Sequence, residues 1–240
     1  MLLTRWMRSG RGVTLSEMLV EPAFHTGPAW SRTWGPEVSD LCEQVGFTPD
    51  PEQRLLLDDT FGLDANDRAV AFEVAVICPR QNLKTGFLKQ AALGWLFVTD
   101  QRLVVWSAHE FLASQEAFRV MEQRITGSDV LRRRVKNISH GNGDEAIELL
   151  GGSRLMFKAR TTGGGRGLTG DKVILDEAYA LQPAHMGALL PTLSAPTPGV
   201  SASPSKPTPP APGTPSAPRC ARATSTRHLV AAHRHRHRGG

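Results

Sequence analysis

The sequence predicts an α/β fold with a largely parallel central sheet, and three observations predict it. From residue 69 onward, short runs of β-branched and other apolar residues alternate with helical patterns. The two segments richest in chemistry, 78–85 and 176–177, each follow directly on such a run. Strand carboxyl ends are where ligands bind in open parallel sheets. Finally, 40% of the 240 residues are apolar, enough for a sizeable core, while no run approaches the ~20 apolar residues that cross a bilayer.

Taken in order, residues 1–35 form an irregular N-terminal arm with scattered Trp, Gly and Pro. A helix is expected near Glu37–Val45 and a second near Glu52–Phe61, where Asp50 and Pro51 suit a helix start. Val70–Ile77 reads as a buried strand and Cys78–Leu83 as a loop. Lys84–Val98 reads as a helix with Phe87, Ala91, Leu93, Leu96 and Phe97 apolar. A strand over Arg102–Ser107 and a helix over Phe111–Ile125 follow. Glu145–Leu150 and Arg154–Lys158 flank Gly151-Gly152 and predict a hairpin. Lys172–Glu177 is an apolar strand ending in two acids, and Pro183–Leu193 is a short helix.

At Ala195 the character breaks. Residues 196–240 hold nine of the seventeen prolines, much Ser, Ala and Arg, and a closing His-Arg repeat. That composition predicts a disordered tail. It also carries the charge. Seven of the 28 basic residues lie there with no acid, leaving 21 against 23 acids, a net of −2, for residues 1–195. The net +5 of the whole chain is therefore a property of the tail, and gives no reason to assign nucleic-acid binding to the globular part. Three widely spaced cysteines (Cys42, Cys78, Cys220) frame neither a disulfide scaffold nor a metal knuckle, which points to a reducing cytoplasm.

Four segments carry chemistry. Cys78-Pro79-Arg80-Gln81-Asn82-Leu83-Lys84-Thr85 joins a strand to a helix. A phosphate loop needs inward backbone N–H groups, a Lys for the β- and γ-phosphates and a Ser/Thr hydroxyl for Mg²⁺. Lys84-Thr85 supplies the last two, but Cys78 and Leu83 stand where the strict motif has glycines, and a plain basic helix start is the alternative. The second segment is Asp176-Glu177 at the end of Val173-Ile174-Leu175, 92 positions after Lys84. In phosphoryl-transfer ATPases a strand-end Asp holds the Mg²⁺ shell, and a following Glu can act as general base on water. Alone, such a pair is equally an exposed turn. The third is Arg160–Gly170, with five glycines around Arg166, either a cationic loop toward phosphate or a linker. The fourth pairs Gln53, able to read an adenine edge, with His109 at a strand end, a catalytic or a structural histidine.

With these residues in view, the chain resembles the large terminase subunits of tailed phages. Pro79–Thr85, Trp106-Ser107-Ala108-His109-Glu110, Arg166-Gly167-Leu168-Thr169-Gly170, Ile174–Ala178 and Leu189–Ala195 come in the family's order, and the resemblance covers residues 36–195. It implies a P-loop NTPase of the ASCE/RecA-like type using ATP and Mg²⁺ to package double-stranded DNA. By that resemblance Lys84 and Thr85 are the Walker A Lys and Thr, and Pro79, Gln81 and Asn82 line the same loop. Arg80 contacts the γ-phosphate, Asp176 holds the metal with Thr85, Glu177 is the catalytic glutamate, and Gln53 recognises adenine. Implied partners are a portal, a small terminase subunit and further copies of the chain, in the cytoplasm of a bacterial host, with no membrane.

The family continues past Ala195 into another core strand and an RNase-H-like nuclease. Here no Asp or Glu follows Glu177, and a two-metal nuclease needs carboxylates, so no nuclease activity is expected. The domain at 36–195 is accordingly expected to be truncated on its C-terminal side, with a reading-frame slip near codon 195 behind the tail. Two other readings stand beside the packaging motor. One is a superfamily-2-type helicase or translocase fragment, which also carries a strand-end Asp-Glu-Ala. The other is an inactive prophage remnant that exposes sheet edge and aggregates.

Overall fold

The computed structural model describes residues 22, 24–78, 83–141, 144–159, 170–178 and 228–234. Its main sheet has seven strands: β3 (Glu73–Cys78), β4 (Leu103–Ala108), β5 (Val135–Ser139), β6 (Ala146–Leu149), β7 (Arg154–Ala159), β8 (Lys172–Leu175) and β9 (His228–Arg234). Their order is β3-β9-β8-β4-β7-β6-β5. The first five run parallel. The sheet as a whole is mixed rather than largely parallel, because β6 is antiparallel to both β7 and β5. The cause is local. Gly152, at φ +86°, closes the tight β6–β7 turn at the Gly151-Gly152 pair, as the sequence predicts.

The helical segments match their patterns to within a few residues. α1 spans Gly35–Gln44 and α2 Pro51–Thr60. Asp50 caps α2 by accepting from the Gln53 N–H, while the Gln53 side chain accepts from the Asp50 N–H in return. α3 covers Lys84–Leu93, and the rest of the expected helix, Gly94–Val98, widens to a π turn. Gly94 lets this segment approach α1 and α2: a Cβ there would lie 2.6 Å from Val38 Cγ2 and 2.7 Å from Phe61 Cζ. Trp95 then packs on Phe61 with ring centroids 5.6 Å apart. α4 (Phe111–Thr126) docks on β4 and β7, where Phe118 meets Phe157 edge-on at 5.4 Å and Phe157 stacks on Trp106. One short helix, α5 (Asp129–Arg132), follows. Among the described residues no helix is long and apolar enough to cross a membrane.

Three features depart from the sequence reading. The N-terminal arm ends in β1 (Arg32–Thr33), which pairs antiparallel with β2 (Gly62–Leu63) and ties the arm to the end of α2. The run expected to be buried over Val70–Ile77 is a strand only from Glu73, and one of its faces is open, with Ile77 64% exposed. Residues 228–234, expected to be disordered, form a strand paired on both sides. The physical reason is local: Leu229-Val230-Ala231-Ala232 is an apolar run inside an otherwise polar tail. The expected helix at Pro183–Leu193 lies outside the described residues.

β8 is buried along its whole length, including Lys172 at its start. Burial drives the Lys172 ammonium down to about pKa 7, against the pull of Asp171. The folded chain thus sheds, from about pH 7, a proton that the unfolded chain holds to about pH 10. Stability is expected to rise between pH 7 and 8.5 by up to about 1.4 kcal/mol per unit from this group. Urea unfolding across that range should show the rise in the native chain and a flatter profile in Lys172→Met. An equal slope in both would assign it to other groups.

Candidate functional site

The site forms where β3 and β8 end. β8 delivers Asp176 directly after Leu175, and the loop after β3 returns as α3 with Lys84 at its first position. Lys84 Nζ lies 3.2 Å from Asp176 Oδ1, with both side chains only about a tenth exposed, at 10% and 9%. Two charges so far from water are tolerated because each is the other's partner. Burial raises the Cys78 thiol, and Lys84 pulls against it, through its backbone N–H first and its charge second.

The start of α3 is suited to an anion. Among the described residues no side chain caps it, and its first turn holds no acid. The first N–H groups of a helix have no intrahelical acceptors and sit at the positive end of the dipole. Thr85 stands exposed on this turn. A cation, a carboxylate, a hydroxyl and an open helix start therefore converge, which is the donor set a phosphate with a divalent cation requires.

Two backbone conformations flank the ion pair. Leu83, just before Lys84, has φ +49° and ψ −54°, and Glu177, just after Asp176, has φ +55°. For a leucine this geometry, near the positive-φ γ-turn, is strained. Position 83 is where the sequence motif lacks its glycine, and the backbone there is one that glycine adopts freely. Glu177 is half-buried, and its N–H donates to Asp176 Oδ1 at 2.9 Å, which helps hold the carboxylate toward Lys84.

Gln53 belongs to this site through its contact with the start of α3. Its Nε2 donates to the Leu83 carbonyl at 3.2 Å, and its Oε1 accepts from the Asp50 N–H and from Gln90 Nε2 at 2.9 Å. It thus pins the strained residue to α2. Gly86 makes room for this brace, since a Cβ there would fall 2.5 Å from Gln53 Nε2. Gln90 is fully buried and was missed in the sequence, as was Gly86. Both left a signal: a polar residue between Phe87 and Ala91 on an apolar face, and an isolated glycine inside a helical pattern.

His109 is exposed just past the end of β4. Pro79, Arg80, Gln81, Asn82 and Arg166 lie outside the described residues. The structure thus brings together Gln53, Lys84, Thr85, Asp176 and Glu177 of the predicted set.

No family model and no curated protein matches this chain. Among solved structures, the HK97 bacteriophage large terminase superposes with a TM-score of 0.59 over 84% of this chain, at 17% identity. The chain shares its fold with a phage large terminase. It spans 38% of that terminase's length. The Thermus phage P74-26 large terminase ATPase domain gives a TM-score of 0.49 at 18% identity, over 65% of this chain and 64% of that one. A large terminase of a thermophilic bacteriophage, in complex with ADP, gives 0.42 at 8% identity, over 66% and 33%.

The strain at Leu83 can be measured without any ligand. Leu83→Gly and Leu83→Ala lose the same half-buried side chain, so their difference isolates the backbone. At an ordinary helical position Ala is the more stable by about 0.5–1 kcal/mol. Here the order should invert, with Leu83→Gly the more stable by about 1 kcal/mol in denaturant unfolding. The ordinary order would mean that the positive φ is not the conformation in solution.

Proposed function

We propose that this chain is the P-loop ATPase module of a terminase-type motor, with ATP and Mg²⁺ at the junction of β3, α3 and β8. The observation that carries this reading is the Lys84–Asp176 pair: a cation and a carboxylate 92 residues apart, buried together at parallel strand ends beside an open helix start. The terminase fold supports it and favours packaging over the helicase alternative.

When bound, ATP with its Mg²⁺ supplies the γ-phosphoryl group whose hydrolysis releases free energy. The chain's residues then have separate tasks. Lys84 neutralises phosphate oxygens as a point charge, and the N–H groups opening α3 donate to the same anion. Asp176 and the Thr85 hydroxyl hold the metal. Glu177 accepts a proton from the attacking water and orients it. Arg80 stabilises the charge that develops on the γ-phosphate, and Pro79, Gln81 and Asn82 shape the loop. Gln53 braces Leu83 from α2, and by the resemblance it is the residue that meets the adenine. Arg166 and His109 are contacts for phosphate or DNA at the rim.

In the packaging assembly the work of this module is to move double-stranded DNA through a portal, alongside a small terminase subunit and further copies of the chain, in the bacterial cytoplasm. A nuclease is no part of this proposal.

The test is Mg²⁺-dependent ATP binding and turnover by the purified chain. Glu177→Gln should retain ATP binding while turnover falls about 10²–10⁴-fold, the range for loss of a general base. Lys84→Ala should lose binding itself, with circular dichroism confirming a folded chain. If native protein and Lys84→Ala bind ATP equally weakly, the reading fails.

A further inference from the structure

β9 comes from the far end of a tail whose composition argues against structure, yet it is an interior strand, one in from the edge of the sheet. β3 hydrogen-bonds to the main sheet through β9 alone among the described residues. Six register pairs, Glu73↔Leu229 through Cys78↔Arg234, join β3 to it, and four, Lys172↔His228 through Leu175↔Ala231, join it to β8. β8 pairs with β4 on its other side and is buried throughout. Without β9, the backbone groups of β8 facing that slot would be left without their ladder partners. Each such buried group costs about 1–3 kcal/mol.

The geometry also sets a distance. With β9 between them, β3 and β8 stand two strand spacings apart, about 10 Å. Across that gap α3 begins after the loop and Lys84 reaches Asp176. Collapse of the slot would bring β3 against β8, and opening it would cut β3 loose. In either case Lys84 and Asp176 lose their separation and register. β9 also runs past the end of β8: Ala232, His233 and Arg234 lie beyond Leu175, at the strand ends where the ion pair sits, with Arg234 in register with Cys78.

We propose that residues 228–234 are a working part of the ATP site: a tail-derived strand that completes the sheet, sets the spacing between the Lys84 and Asp176 strands, and extends its basic end along the site. The occupant of the slot is this chain's own segment. The 52 residues between Leu175 and His228 are far more than the dozen that a parallel crossover needs. The apolar run 229–232 is what an interior parallel strand requires on both faces. The effect on nucleotide rests on the ATP-site reading, whereas the strand itself does not.

Hydrogen exchange on the full-length chain tests the strand directly. Interior amides 229–233 should exchange at least about 100-fold more slowly than in a free peptide of the same sequence, and equally at tenfold lower protein concentration. Exchange at the free-peptide rate would overturn the proposal, and protection lost on dilution would overturn the in-chain placement. Ala231→Pro removes a ladder N–H in mid-strand. It should expose the β3 amides 73–78 to exchange and weaken ATP binding at least tenfold, while Ala223→Pro, outside the strand, leaves both unchanged. Native affinity in Ala231→Pro would overturn the positioning role. Absence of ATP binding in the native chain, with 229–233 protected, would sink the ATP reading and leave the strand standing.

Discussion

The ion pair between Lys84 and Asp176 is the constraint on which the rest of the structure depends. Removing one partner of a buried pair leaves an uncompensated charge, at a cost of about 3–5 kcal/mol. The fold must therefore bring two residues 92 positions apart to 3.2 Å. Here it is done with strands of fixed spacing, ending at the same level, and a helix that begins after one of them ends. The parallel half of the sheet supplies that arrangement. The pair is also a sensible resting state for the proposed ATP site. It is neutral as it stands, and a polyphosphate with its divalent cation offers each member a new partner of the right sign.

Strain is concentrated around the same pair. Four non-glycine residues among those described have positive φ: Asp67, Leu83, Asp100 and Glu177. Aspartates tolerate this conformation in turns. Leucine and glutamate do not, and these two sit on either side of the ion pair. Their conformations cost about 1–3 kcal/mol each and persist because the surroundings hold them. For Leu83 the holding groups can be named: its carbonyl accepts from the Phe87 N–H and from Gln53 Nε2, and Gln53 is itself anchored by Gln90 and by the start of α2. The residue that opens α3 is thus held in place by a glutamine pair.

Much of this was legible in the sequence, for a physical reason. β4, β8 and the β6–β7 hairpin carry patterns that only a sheet satisfies, and their predicted bounds agree with the structure to within two residues. Asp176 stood out because charge directly after a buried strand is costly without a partner, and Lys84 because Lys-Thr opens a helix after a strand and a loop. The illegible parts depend on long-range pairing. β1 and β2 are two residues each and exist through each other. The π turn at Gly94–Val98 answers to the tight approach of Val38 and Phe61, which no local pattern records. The partners of Gln53, Leu83 and Gln90, are likewise tertiary facts that no local pattern records.

Charge is where sequence and space diverge most. Along the chain, acidic and basic residues are segregated, with a net of −2 through residue 195 and seven basic residues without an acid beyond it. Read linearly, the tail's positive charge has nothing to do with the globular part. Yet residues 228–234 of that tail form β9, between β3 and β8, and its parallel direction decides which end of the site it reaches. An antiparallel strand would carry Arg234 to the opposite edge, near Lys172 and away from Asp176. Running parallel, it brings the basic end of the segment to the strand carboxyl ends, where the register sets Arg234 beside Cys78. Two positions 150 residues apart in the sequence, 84 and 234, thus belong to elements that end on the same side of the sheet.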